Sequence, residues 1–479
     1  MSRQTRPPWL TSAVTGLVAG VLALTAIPAQ AVEALPSPGS AGIGDDYFPK
    51  DGNGGYDVKH YSIHDTYRIP SGRLTGWTDL TVAATQGLSR FNLDLALTPD
   101  AVSIDGVGAS WEKPNRHELV VSPAAPIAAG SEVTVRVRYH GTPEKVRVGG
   151  ESPWISGPRE AMAMNEPHIA PWWFPANDHP RDKATFDIAV RVPRGNQLVS
   201  NGELVSKRFS KRWSTWHWQM TQPMAPYLAF FAAGRFKLES GSRNGLPYTL
   251  AVSRRLPKQA QKRSMQLLRR TPRIVHWLEG KLGSYPFSST GGVTTGLYTG
   301  FALENQSRPT YPYMGSGPAA TDTVVHELAH QWFGDDVSVD RWRDIWLNEG
   351  FATFAEWRYA EAHRGRSAQK RLLVTYEDMP ARSSFWRVRV GNPGARRIFD
   401  WSIYERGAMT LQALRHRIGR ADFNRLLRTW VRQRGEGNGR VGQFEQLAEQ
   451  VSGEQLDGFF RAWLHTVRKP RKTAANGLR

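Results

Sequence analysis

His326-Glu327-Leu328-Ala329-His330, followed by Asn348-Glu349-Gly350-Phe351-Ala352, constrains this chain more than any other stretch. On a helix, His326 and His330 stand at i and i+4, so their imidazoles lie on one face and can grip a single ion. Glu327 comes one position later and leans toward the open side, where a water on that ion would sit. Glu349 follows His330 after 18 intervening residues, enough for one helix to end and a second to approach. Two His, one Glu and a vacant fourth position are the donor set of a catalytic zinc site; structural sites are usually closed by four protein ligands. A plain helix with two surface histidines would account for the first motif but not for the second at this distance.

At 479 residues the chain exceeds a single ordinary core, so two domains are expected. Arg3 and Arg6 precede an apolar run from about Leu10 to Ile27, which ends in the small-residue cleavage pattern Ala29-Gln30-Ala31. This reads as a secretory signal over residues 1–31, with a mature chain beginning near Val32 and an extracellular location. No other stretch approaches the ~20 apolar residues of a membrane helix, so no transmembrane anchor is expected after cleavage. The absence of cysteine excludes thiolate zinc ligation and a Cys nucleophile. The formal charge is +19, or about +17 without Arg3 and Arg6. Much of the excess lies between Arg254 and Arg273 and in Arg468-Lys469-Pro470-Arg471-Lys472. That excess predicts weak attraction to an anionic cell surface; a solvated helix face and a frayed tail would carry the same charge. Nothing resembles a nucleic-acid motif, and charge alone does not support that partner.

Residues 32–56, rich in Gly, Pro, Ser and Asp, read as a flexible leader. Residues 57–240 look β-rich. Val133, Val135, Val137 and Tyr139 alternate with polar residues, as do Phe186, Ile188, Val190 and Val192. Trp213, Trp216 and Trp218 continue the strand-like character, and these tryptophans read as sheet packing. Short strands at this spacing predict an N-terminal antiparallel β-sandwich or saddle. Residues 241–467 are α-rich after the strand-like Tyr248–Val252: a basic helix reaches Leu282, the motif helix spans about Thr321 to Phe333, and a further helix runs from about Tyr404 to Ile418. Residues 468–479 form a basic tail. The fold class is therefore α+β.

Zinc held by three protein ligands activates water and polarises a carbonyl, and Glu327 is the natural general base. Glu356 lies two helical turns past Glu349 and is proposed to orient a zinc-binding His. The stretches His326–Gly334 and Trp346–Ala352 resemble the aminopeptidase N family of zinc exopeptidases, whose catalytic domain is thermolysin-like. Gly300-Phe301-Ala302-Leu303-Glu304-Asn305 resembles that family's Gly-Ala-Met-Glu-Asn motif, with Phe301 in place of Gly and Leu303 in place of Met. The resemblance implies that Glu304 binds the free α-amine, and that Ala302 and Asn305 belong to the substrate-binding stretch, whose backbone pairs with the peptide. Asn165-Glu166-Pro167 implies a second amine-binding carboxylate, Glu166, with Met164 where a Gln is common. Tyr404-Glu405-Arg406-Gly407-Ala408 implies that Tyr404 stabilises the tetrahedral oxyanion. His168 and His179 lack metal-ligand spacing and read as loop residues.

The resemblance spans roughly residues 57–465. Only 75 residues follow Tyr404, too few for the further domains of many relatives, so a minimal two-domain arrangement is expected. The sequence thus predicts a secreted aminopeptidase with one Zn2+ per chain, acting on peptides with a free N-terminus. A zinc endopeptidase on the same helix pair would not need Glu304 or Glu166. A cationic surface-binding protein with a structural zinc would not need Glu327.

Overall fold

Tyr56–Arg68 (β1) turns Val58, Tyr61, Ile63 and Tyr67 inward and sets polar residues between them. A bulge between Val58 and His60 shifts the alternation by one, so both halves of the strand face the same core. The computed structural model describes residues 35–363 and 365–479. The export signal read at residues 1–31 and the first leader residues lie outside them. β1 belongs to an eight-stranded sheet with Arg73–Ala84 (β2), Thr98–Ile104 (β3), Val107–Gly108 (β4), Glu132–Gly141 (β5), Ala184–Pro193 (β6), Glu203–Phe209 (β7) and Trp213–Met224 (β8). The order is β7-β8-β6-β1-β2-β5-β3-β4. Neighbours are antiparallel except β6 and β1, which run parallel with Ile188 opposite Ile63. The expected antiparallel pattern is broken there because β6 returns after a long excursion, not a hairpin. Two four-stranded sheets pack with it. Trp216 and Trp218 point into the core, whereas Trp213 faces out beneath the guanidiniums of Arg68 and Arg191, 4.8 and 4.9 Å from its ring centre.

A mixed four-stranded sheet follows: Phe236–Arg243 (β9), Leu246–Ser253 (β10), Thr290–Thr294 (β11) and Thr310–Tyr311 (β12). The basic helix anticipated up to Leu282 is two helices, Lys258–Leu268 (α1) and Thr271–Leu282 (α2). Pro272 explains the break: without an N–H it cannot extend the first helix, but it suits the opening turn of the second. The basic side chains of both helices face solvent, while Met265, Leu268, Ile274 and Leu278 are buried. Pro318–Ala329 (α3), Trp346–Ala362 (α4), Ala368–Asp378 (α5), Trp401–Arg417 (α6), Gly419–Arg434 (α7) and Val441–Ser452 (α8) make up most of the rest. Among the described residues no helix is long and apolar enough to cross a membrane.

Two cations, one fully buried and one half-buried, tie the β-rich and α-rich parts together. Arg308 donates to the carbonyls of Ser200, Gly202 (3.0 Å) and Thr249 (3.3 Å), with its guanidinium 4.8 Å from the Trp218 ring centre. Lys183 Nζ donates to the carbonyls of Asp335 and Asp336, both at 2.8 Å. Both ends of the described chain make contacts with the rest. The leader is not free: Asp45 is buried, accepts from Trp342 N (2.9 Å) and meets His179 Nε2 at 3.1 Å. The carboxylate satisfies a donor from each side, which holds the segment down. The basic tail is tied down as well. Tyr376 Oη donates to Pro470 O (2.7 Å), Trp463 Nε1 donates to Asn476 O (3.1 Å), and Leu478 is buried.

Candidate active site

The zinc-ligand motif sits where α3 meets α4. Pro318 opens α3, where its missing N–H costs nothing, and His326 and His330 emerge at the C-terminal end with ring centres 4.8 Å apart. Glu349 lies in the first turn of α4. Its Oε2 is 3.2 Å from His326 Nε2 and 3.4 Å from His330 Nε2. Donors on a tetrahedral ion with bonds of about 2.0–2.1 Å lie roughly 3.3 Å apart, so the three groups have the spacing of a zinc triad. The other ring nitrogens are occupied. His330 Nδ1 donates to Phe333 O at 3.0 Å, and His326 Nδ1 is 2.6 Å from Glu356 Oε1. These contacts turn both Nε2 atoms toward the centre and raise their basicity. Glu356 thus stands where a residue orienting His326 would stand.

The electrostatics agree with a cation site. Burial would push both imidazoles down, but Glu349 and Glu356 beside His326 lift it well above its usual range, and Glu349 and Glu304 lift His330 to about 8. Burial pushes Glu349 up, and His330 and His326 more than reverse it, leaving its carboxyl at about 2. The centre gathers negative charge that a proton or a metal must answer. Glu327, also buried, is pushed up to about 8 despite both histidines.

The position of Tyr404 depends on two glycines. A Cβ on Gly350 of α4 would meet Gly407 Cα at 2.9 Å, and a Cβ on Gly407 of α6 would meet Gly350 Cα at 2.8 Å. Glycine inside a helix costs about 1 kcal/mol relative to Ala; here it lets two helices touch backbone to backbone. That contact carries Tyr404 of α6 over the motif, its ring 5.9 Å from that of His326 and tilted by 23°.

A cavity of about 370 Å3 opens beside these groups. It is lined by Asn165, Glu166, Phe301, Ala302, Leu303, Glu304, His326, Glu327, His330, Glu349, Phe399 and Tyr404. The structure therefore brings together nearly all the residues singled out in the sequence. Glu304 is pinned: Gln331 Nε2 donates to its carbonyl (2.8 Å), Gln331 Oε1 accepts from Ser307 N (2.7 Å), and Tyr227 Oη donates to Glu304 Oε1 (3.2 Å). Glu166 Oε1 is buried with no hydrogen-bond partner among the described residues. Burial and the neighbouring carboxylates raise the pKa of both Glu166 and Glu304. Asn305 is the exception. Its Nδ2 donates to Leu228 O (3.1 Å) and its Oδ1 accepts from Thr310 Oγ1 (3.0 Å), so its fully buried side chain anchors the loop and does not line the cavity. The backbone of Leu303 is bridged to Thr310, leaving Ala302 facing the cavity beside Phe301. His168 and His179 pair with Asp51 and Asp45. Sequence reasoning missed Tyr227, Gln331 and Phe399. Gln331 adjoins the motif and was findable there; Tyr227 is distant in sequence, and Phe399, five residues before Tyr404, carried no motif signal.

Comparison with known proteins gives concordant results. Residues 88–228 match the Peptidase M1 N-terminal domain and residues 301–463 the Peptidase family M1 domain. The chain is 28% identical over 337 residues to glutamyl aminopeptidase of Rattus norvegicus, covering 66% of this chain and 35% of that protein. It is 25% identical to aminopeptidase N of Streptomyces lividans, covering 64% and 38%. Against Tricorn protease-interacting factor F2 of Thermoplasma volcanium the identity is 26%, covering 61% and 39%. The chain thus matches little more than a third of the length of these relatives. The M1 zinc metallopeptidase from Deinococcus radiodurans superposes with a TM-score of 0.78 at 26% identity, over 90% of this chain and 99% of that one. A mutant of that enzyme has been solved bound to a Tyr-Ser-Ala substrate.

Proposed function

We propose, since the chain belongs to peptidase family M1 in both its N-terminal and its catalytic part, that it is a zinc aminopeptidase releasing N-terminal residues from peptides. The observation that carries this reading is the cavity in which two carboxylates, Glu166 and Glu304, stand beside the His326–His330–Glu349 donor set. In this reading those three residues hold one Zn2+, with Glu356 and the Phe333 carbonyl fixing the imidazoles. Zinc, when bound, supplies a Lewis acid for the scissile carbonyl and lowers the pKa of a water to about 7. Glu327 takes the proton of the attacking water and passes it to the leaving amine. Glu304 and Glu166 receive the substrate ammonium, which sets the scissile bond one residue in. Tyr404 donates its hydroxyl to the developing oxyanion; burial raises its pKa well above the usual range, so it stays a donor.

The test uses one peptide in free and N-acetylated forms, with and without a chelator. The free peptide should lose its first residue, a chelator should abolish this, and zinc should restore it. Blocking the amine should lower kcat/KM at least about a hundredfold, as expected for a lost buried charge contact. Equal cleavage of the blocked form, or cleavage at an internal bond, would favour an endopeptidase. We also propose that the chain is exported, from the Arg3/Arg6, apolar and Ala29-Gln30-Ala31 pattern. N-terminal sequencing of the extracellular protein should begin near Val32; an intact Met1 would refute export by that signal.

A further inference from the structure

Two aromatic side chains complete the cavity wall without any role in the chemistry above. Phe301 and Phe399 are each 38% exposed, come from separate segments, and both line the cavity with Ala302 and Leu303. Phe301 stands in the stretch that carries Glu304, and Phe399 lies just before α6, which carries Tyr404. An exposed large apolar residue is ordinary by itself. Two converging on one concave site form a surface that gains by being covered. The polar lining is Asn165, four carboxylates, two imidazoles and the Tyr404 hydroxyl; among the described residues no lysine or arginine lines the cavity.

Resting on the aminopeptidase reading, we infer that this site selects peptides whose first residue is aromatic or large and aliphatic, and that Phe301 and Phe399 are the residues that select it. The ammonium is held at Glu304 and Glu166, and the scissile carbonyl lies toward His326, His330 and Glu349. The first side chain is left with the Phe301–Phe399 wall. A large apolar group buries both its own surface and theirs. A small one leaves the wall wet. An acidic one enters a lining that carries four carboxylates, with no lysine or arginine side chain among the described lining residues to pair with it, and like charges at close range cost affinity.

The experiment compares kcat/KM of the zinc-loaded protein on phenylalanyl, leucyl, alanyl and glutamyl amides of one fluorogenic leaving group. Phenylalanyl and leucyl substrates should exceed alanyl by at least about tenfold and glutamyl by at least about a hundredfold. Phe301→Gly and Phe399→Ala should each shrink the phenylalanyl-to-alanyl ratio by about tenfold, with bound zinc and thermal melting unchanged. A flat ranking, a glutamyl preference, or faster phenylalanyl turnover in Phe301→Gly would overturn the inference, the last by making Phe301 a plug. Those results leave the aminopeptidase reading intact, because turnover of any free-amine substrate supports it. Turnover of none by zinc-loaded protein would refute that reading instead.

Discussion

Glu327→Gln should lower kcat by about three orders of magnitude while one zinc per chain remains bound. Positioned general acid–base groups contribute about 10²–10⁴ to rate, and this variant removes the proton acceptor with almost no change of shape. The environment suits the role. Glu327 is buried beside the donor set, and burial pushes its carboxyl up to about 8, which makes its ionised form a stronger base than an exposed glutamate. It lies outside the triad itself, since Glu349 is the carboxylate within 3.2–3.4 Å of both imidazoles. Zinc content and kcat are therefore separable measurements. A Glu327→Gln protein that kept its zinc and turned over within tenfold of the parent would remove Glu327 as the base. Loss of zinc along with activity would instead assign it to metal binding.

Glu304→Ala should reduce kcat/KM on free-amine peptides by about 10²–10³ and leave zinc content unchanged. Removing one partner of a buried charge contact costs about 2–5 kcal/mol, and every 1.4 kcal/mol is tenfold. Glu304→Gln keeps the shape and an acceptor oxygen for Tyr227, so it should fall between the parent and the alanine variant. The loss should be confined to substrates with a free amine. On N-acetylated peptides, already poor, parent and variant should differ less than tenfold. An equal drop on both substrate types would mean that Glu304 supports the loop held by Gln331 and Tyr227 without reading the N-terminus.

Most of the chemistry was legible because it is written at short range. The i, i+4 spacing of His326 and His330 is a property of any helix, and Glu356 two turns beyond Glu349 is another. Alternation marked the strands of the N-terminal part for the same reason. What was not legible involved partners remote in the chain. The leader looked flexible because Gly and Pro are locally permissive; Asp45 is held by Trp342 and His179, more than a hundred residues away. The side chain of Asn305, in the motif stretch, is held by Leu228 and Thr310, partners that its place in the motif does not reveal.

By itself, then, the sequence determined the His326–His330–Glu349 donor set and the two-part α+β organisation, since each follows from local periodicity and residue chemistry. Tertiary structure decided how those groups converge. The Gly350–Gly407 contact sets Tyr404 over the motif, Gln331 and Tyr227 set the reach of Glu304, and the approach of Phe301 and Phe399 shapes the wall. The physical reason is that no spacing rule links residues joined only by long-range packing: their distances are fixed when the core closes, not by the chain between them.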